Sequence, residues 1–327
     1  MYRANRPLVA APRPPDREVN HPLELDLKLV QERIGPLASA VSLEEIKRGF
    51  SADRKYRVVT GEGSVFLLRV NLLSDWPRKQ DEFYILQQMQ HYRVKSPRPI
   101  CAGQLPDLQL CYYVVSYIEG EDAERSLAAY SQQVQFEIGA AAGRDLRRMH
   151  RHSAPPGIAP WRERLLRKHG RYVAAYRESG VTLRHADRVL AFIADHLRHI
   201  PFGTGVFQHD DFHVGNLIVC DGTYAGVIDF NRYDWGDPVH DLLKIGFFSR
   251  PVSIAFCNGQ LHGYFADKRP SEHFWETYAV YVAMSVFASV VWTMKTVPDE
   301  LDAMLERLNG VIEDHRRFTS AKPVWAE

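Results

Sequence analysis

The chain has little of the material that several function classes require. Its four cysteines, Cys101, Cys111, Cys220 and Cys257, are scattered and form no CxxC pair. That excludes a zinc site of the usual spacing, and a chain this large does not call for a disulfide framework. Reduced, partly buried thiols are expected instead. Neither sign of charge is in excess, since 41 basic residues face 40 acidic ones and the net charge is +1. Nucleic acid and anionic membranes would favour a basic stripe, so neither is expected as a partner. Met1 to Pro15 holds Arg and Pro without an apolar run, so residues 1–20 are expected to be a disordered leader rather than a signal peptide. Ala279 to Met294 carries no charge but is shorter than the ~20 apolar residues of a spanning helix. It also contains Tyr281, Ser285 and Ser289. A buried helix in a soluble, cytoplasmic protein is the expectation. Internal repeats and low-complexity tracts are missing too.

What is present is an ordinary globular composition, 45% apolar and 25% charged, in 327 residues. That length suffices for one large domain or two lobes. Up to about residue 118, short apolar runs alternate with turns. Arg57 to Thr60, the turn Gly61-Glu62-Gly63 and Ser64 to Val70 read as a hairpin. Arg78 to Tyr92 has helical spacing through Phe83, Leu86 and Met89, and two strand-like runs follow, around Arg98 to Ala102 and Leu110 to Tyr117. After Gly120 the pattern is mostly helical, with long stretches over Ser131 to His150 and Leu183 to Ile200. A β-like island, Gly205 to Val227, interrupts it with a second hairpin. The layout is α+β: a leader over 1–20, a sheet-rich N-terminal lobe over 21–118, and a helical C-terminal lobe over 119–327.

The island holds the chemistry. Phosphoryl transfer needs a carboxylate to orient or deprotonate the attacking hydroxyl and oxygen ligands to hold magnesium on the nucleotide phosphates. Asp211, then Asn216 five residues on, then Asp229 beyond the hairpin supply that set.

His209-Asp210-Asp211…Asn216 resembles the HxDxxxxN loop of kinase-fold enzymes, and Ile228-Asp229-Phe230 their metal-binding segment. The closest resemblance is to the aminoglycoside phosphotransferase family, with its choline kinase-like and fructosamine kinase-like relatives. That family runs H-G-D-x-x-x-x-N, I-D-[FW], G-D-P-x-x-D-L, and this chain continues Gly236-Asp237-Pro238-Val239-His240-Asp241-Leu242. Protein kinases would show H-R-D and D-F-G, whereas Asp210 and Asn231 stand in those slots. The resemblance spans roughly residues 40 to 250. It implies a bilobal kinase-like fold, ATP or GTP as phosphoryl donor, and Mg2+ on Asn216 and Asp229. It also implies Asp211 as catalytic base, with His209 bracing the loop. Asp237 is expected to cap a helix and Asp241 to support the loop.

In the N-terminal lobe the resemblance implies a phosphate loop at Gly49-Phe50-Ser51-Ala52-Asp53, although G-x-G-x-x-G is absent. There Gly49 and Ser51 would contact phosphate oxygens. Arg69 would be the phosphate-binding cation, with Glu82 as its helix partner and Asp81 as the competitor. The linker around Ser116 and Ile118 would bond the purine edge through its backbone, with Val115 behind the base. The acceptor, a small-molecule hydroxyl, is expected to be aminoglycoside-like, with choline, homoserine or a ketoamine as alternatives and a non-catalytic kinase-like binding protein as the remaining class. Asp210, Asp234, Glu272 and Glu276 offer acidic contacts, and Asp210 either meets an acceptor amine or faces solvent. Tyr233 and Trp235 are placed to stack on a sugar or quaternary amine, while the aromatics from Phe274 to Trp292 read as core. A monomer or homodimer is expected.

Overall fold

The computed structural model describes residues 25–47, 53–203 and 205–326. The expected leader and residues 49–52 of the phosphate loop, Gly49 and Ser51 among them, lie outside the described residues. The chain divides into two compact units, with the boundary between Glu119 and Gly120.

The first unit is a five-stranded antiparallel sheet with two helices. In chain order these are α1 (Leu27–Arg33), β1 (Ala40–Glu45), β2 (Arg54–Thr60), β3 (Val65–Leu72), α2 (Trp76–His91), β4 (Pro99–Leu105) and β5 (Leu110–Ser116). The sheet order is β1-β2-β3-β5-β4. Period-two alternation decides which side chains meet. Val58, Leu68, Val70 and Val114 join Val30 and Ile34 of α1 in one core. Arg69, between Leu68 and Val70, therefore projects from the opposite face, where its register partner is Tyr113 on β5. α2 buries Phe83, Ile85, Leu86 and Met89 and begins with Pro77 in its first turn, where a missing N–H costs nothing.

The second unit contains β6 (Glu121–Asp122), α3 (Ala123–Ser126), α4 (Gln132–Met149), α5 (Trp161–Glu178), α6 (Ala186–His196), β7 (Val206–Gln208), β8 (Leu217–Cys220), β9 (Thr223–Val227), β10 (Asp234–Gly236), α7 (Pro238–Lys244), α8 (Ile254–Tyr264), α9 (Glu272–Thr296) and α10 (Leu301–Asp314). α6 begins three residues later than the periodicity suggests, because His185 is left-handed at φ 60° and cannot continue a helix. α9 is long and apolar enough to cross a membrane by composition, but 72% of that window is buried within the unit. α4 and α8 run in the same direction with their backbones touching. Gly139 and Gly143 face Phe256 and Gln260, while Gly259 and Gly263 face Phe136 and Ala140, and a Cβ at any of the four would collide with a carbonyl oxygen. Two G-x-x-x-G spacings, one per helix, were the sequence signal for this contact.

Two small sheets frame the island: β7 pairs with β10, and β6, β8 and β9 form a three-stranded ribbon. β7 delivers the chain into the 209–216 loop. The β8–β9 hairpin brings its two ends together, since Ile228 N–H donates to the Asn216 carbonyl at 2.9 Å.

Candidate active site

Asp211 and Asn216 meet because a short 3-10 turn, Val214–Asn216, folds the loop back on itself. The Asn216 amide Nδ2 donates to the Asp211 carbonyl at 2.9 Å and to its carboxylate Oδ2 at 3.1 Å. With its nitrogen so engaged, the amide points its oxygen away from Asp211 as an acceptor. Asp229 directly follows Ile228, so the hairpin returns its backbone next to that of Asn216. Its φ of 68° is left-handed, a conformation Asp tolerates better than most residues. An amide oxygen and a carboxylate are the donor types magnesium accepts, so these residues fit the metal the sequence implies.

The Asp211 carboxylate has further neighbours that sequence reasoning did not identify. His213 Nε2 lies 3.4 Å and Lys244 Nζ 3.5 Å from its Oδ1. His213 Nδ1 accepts the Gly215 N–H at 3.2 Å, which places the ring proton on Nε2, toward Asp211. Burial alone would raise the pKa of Asp211. The charge of Lys244, the His213 hydrogen bond and the charge of Arg232 outweigh it and hold the carboxyl well below its ordinary value. Lys244 stands three residues after Asp241, one turn along the same helix, and that spacing was the available signal.

The loop is braced from below. Asp241 accepts the His209 backbone N–H on Oδ2 and the Asp210 N–H on Oδ1, both at 2.6 Å. Its Oδ2 also lies 3.1 Å from His150 Nε2, whose Nδ1 is 2.7 Å from the Tyr264 hydroxyl. Burial opposes the Asp241 charge, but His150 and the loop donors lower its pKa on balance. The His209 ring is fully buried, donates from Nε2 to the Ile228 carbonyl at 3.0 Å, and is kept neutral by burial. Asp237 caps α7 by accepting from Val239 N–H at 3.1 Å and receives the Tyr281 hydroxyl at 2.7 Å. Asp210 has φ 60°, so a left-handed backbone explains why a glycine suits this position elsewhere.

Several expected acceptor contacts are corrected. Trp235 is 1% exposed and Tyr233 8%, both packed on Phe207, so neither ring is free to stack on a ligand. The cause is the β7–β10 pairing, which sets Trp235 opposite Phe207 in the core. Asp234 is bound by Arg164 Nη1 at 2.8 Å, and Arg164 also reaches the Trp235 carbonyl. Asp210 lies 3.5 Å from His240 Nδ1, with its side chain 23% exposed. Burial raises its pKa against the charges of Lys168 and Lys244. His240 is itself pushed down to about 3 by burial and Lys168, and stays neutral. Glu276 is 3.1 Å from His199, and Glu272 is exposed in the first turn of α9. Phe274, Trp275, Tyr278, Tyr281 and Phe287 are core, as expected.

In the sheet unit Arg69 and Glu82 belong to one buried network with Asp53 and Lys79. Arg69 Nη2 meets Asp53 at 2.5 Å, and the buried Lys79 bridges Asp53 at 2.9 Å and Glu82 at 3.0 Å. Tyr113 donates its hydroxyl to Glu82 at 3.2 Å. The two buried cations balance the two buried carboxylates, which permits their burial, and the exposed Arg78 adds a third cation at the edge, 3.4 Å from Glu82. Burial opposes the charge of Asp53, but Arg69 and Lys79 hold it far below its ordinary value. At the end of β5, the Ser116 N–H donates to the Arg98 carbonyl at 2.8 Å, Val115 is buried, and the Ile118 N–H has no backbone partner among the described residues.

The model of one family, described as a phosphotransferase enzyme family, matches residues 42–275. No curated protein matches the chain. Among solved structures, a thermostable aminoglycoside phosphotransferase APH(4)-Ia in ternary complex with AMP-PNP and hygromycin B is similar, with a TM-score of 0.64 and 17% identity. The match covers 88% of this chain and 97% of that one. The gentamicin complex of APH(2")-IIa gives 0.59 at 15% identity, covering 88% and 97%. The GDP complex of an aminoglycoside 2'-phosphotransferase-IIIa variant gives 0.62 at 13% identity, covering 90% and 98%. These likenesses bear out the kinase-like α+β fold.

Proposed function

The chain belongs to the phosphotransferase enzyme family, and from that premise we propose that it moves the γ-phosphoryl group of ATP or GTP to a hydroxyl of a small molecule, with Asp211 at the attacking oxygen. The observation that carries this reading is the Asp211 carboxylate, joined to Asn216 at 3.1 Å and held ionised beside Lys244 and His213. A carboxylate this acidic orients the hydroxyl and takes its proton only late, as the new P–O bond forms, which suits a loose phosphoryl transition state. The Asn216 amide oxygen and Asp229 would hold Mg2+, which when bound supplies charge neutralisation on the phosphates. Arg69, set against Asp53, would meet the nucleotide phosphates, with Glu82 and Lys79 holding its neighbourhood neutral. The backbone at Ser116 and Ile118 would take the purine edge, and Gly49 and Ser51 the phosphates. His209 serves as a brace.

The APH(4)-Ia and APH(2")-IIa structures hold hygromycin B and gentamicin, and an aminoglycoside-type acceptor is the first reading. A specific observation favours a second, a metabolic acceptor with less positive charge. A polycation needs unengaged acids, yet Asp234 is held by Arg164, Asp210 faces Lys168 and His240, and Lys244 stands beside Asp211. The test is a nucleotide-consumption assay over an acceptor panel with wild type and Asp211→Asn. The variant should lose about 10²–10⁴-fold in kcat while still binding nucleotide. Wild-type turnover by Asp211→Asn would overturn the assignment. Turnover with choline, homoserine or a ketoamine and none with aminoglycosides would select the second reading.

A further inference from the structure

Away from the 209–216 loop, His199, His273 and Glu276 converge on one point. The 3-10 turn Leu197–His199 ends against the first turns of α9, and the Thr277 hydroxyl donates to the His199 carbonyl at 3.3 Å. His273 and Glu276 lie three residues apart on α9, so helix geometry puts them on one face. His199 Nδ1 is 3.1 Å and His273 Nδ1 3.8 Å from Glu276 Oε2. One ligand atom from each of the three residues lies within 4.8 Å of the other two.

Ligands at about 2.1 Å from a tetrahedral zinc stand about 3.4 Å from one another. The two distances to Glu276 bracket that spacing, and His273, whose side chain is 72% exposed, is free to turn inward. The geometry points to a zinc-class metal site formed by His199, His273 and Glu276, clamping the turn after α6 to the start of α9. Two imidazoles and one carboxylate suit Zn2+ or its neighbours in the first transition row better than Mg2+ or Ca2+. Water can complete the coordination, since the His273 side chain is 72% and that of Glu276 32% exposed. The remaining nitrogen of His199, Nε2, is buried without a hydrogen-bond partner among the described residues. Lacking the acceptor that usually orients a metal-bound imidazole, the site forgoes about 10–100-fold in affinity.

The site shares no residue with the proposed phosphotransfer centre, and the experiment separates the two. Zinc sulfate is titrated calorimetrically into the metal-free full chain, with magnesium in excess to occupy Asn216 and Asp229. One equivalent should bind, and its binding should raise Tm. His273→Ala and Glu276→Gln, both at solvent-accessible positions, should each weaken binding by about 10-fold or more and abolish the Tm rise. Asp229→Asn should leave both intact. Zinc affinity unchanged in both His273→Ala and Glu276→Gln would overturn the proposal, as would loss of the site in Asp229→Asn.

Discussion

Replacing Asp241 tests how the 209–216 loop is held. Its carboxylate is fully buried and accepts two backbone N–H groups at 2.6 Å and His150 at 3.1 Å. Asp241→Ala leaves three buried donors without their acceptor. A hydrogen bond to a charged group contributes about 1.5–3 kcal/mol, and the three share one side chain, so their losses do not add fully. With that discount the expected destabilisation is about 3–5 kcal/mol. At about 2–4 °C per kcal/mol for a unit of this size, Tm should fall by about 6–20 °C. Asp241→Asn keeps one acceptor and turns an NH2 toward a donor, so its loss should be intermediate. Calorimetry on both variants, with kcat measured well below Tm, checks this. A loosened His209–Asp210 backbone should lower kcat by about 10²-fold. Folding lowers the pKa of Asp241, so its contribution is complete above the unfolded value of about 3.9 and is lost as pH falls through the folded one. The gap between wild type and Asp241→Asn should therefore narrow in acid. If Asp241→Ala melts within about 2 °C of wild type and keeps its kcat, the bracing argument is wrong.

Three further outcomes follow from the same geometry. Lys244→Met removes the strongest charge lowering the Asp211 pKa, so the acid limb of the kcat/KM profile should move to higher pH; an unmoved limb would count against Lys244 as the cause. Gly143→Ala should cost about 2 kcal/mol or more because the new Cβ meets the Gln260 carbonyl. Gly170→Ala, in α5 with open space around it, should instead stabilise by about 0.4–1 kcal/mol, and equal signs in urea unfolding would refute the packing account. Lys79→Met should destabilise by about 3–5 kcal/mol, with Lys79→Met/Glu82→Leu recovering part of it. A double-mutant cycle showing no coupling would remove Lys79 from the network.

The sequence by itself determined whatever depends on near neighbours along the chain. A carboxylate and an amide five residues apart across a tight turn had to meet, and Asn216 does reach Asp211. The hairpin after Asn216 had to return the chain to its start, which sets Asp229 beside it. The alternation that gives a sheet-rich first unit, and the helical spacing of α2 and α4, were legible for the same reason. The tertiary structure alone decided the partners of the charges. Lys79 finds Asp53 across 26 residues, Arg164 finds Asp234 across 70, and His150 finds Asp241 across 91. No local period encodes such separations, because they depend on which faces of the sheet and helices are buried together. Trp235 shows the same limit: its neighbours in sequence suggested a ligand-facing ring, and strand pairing with Phe207 put it in the core.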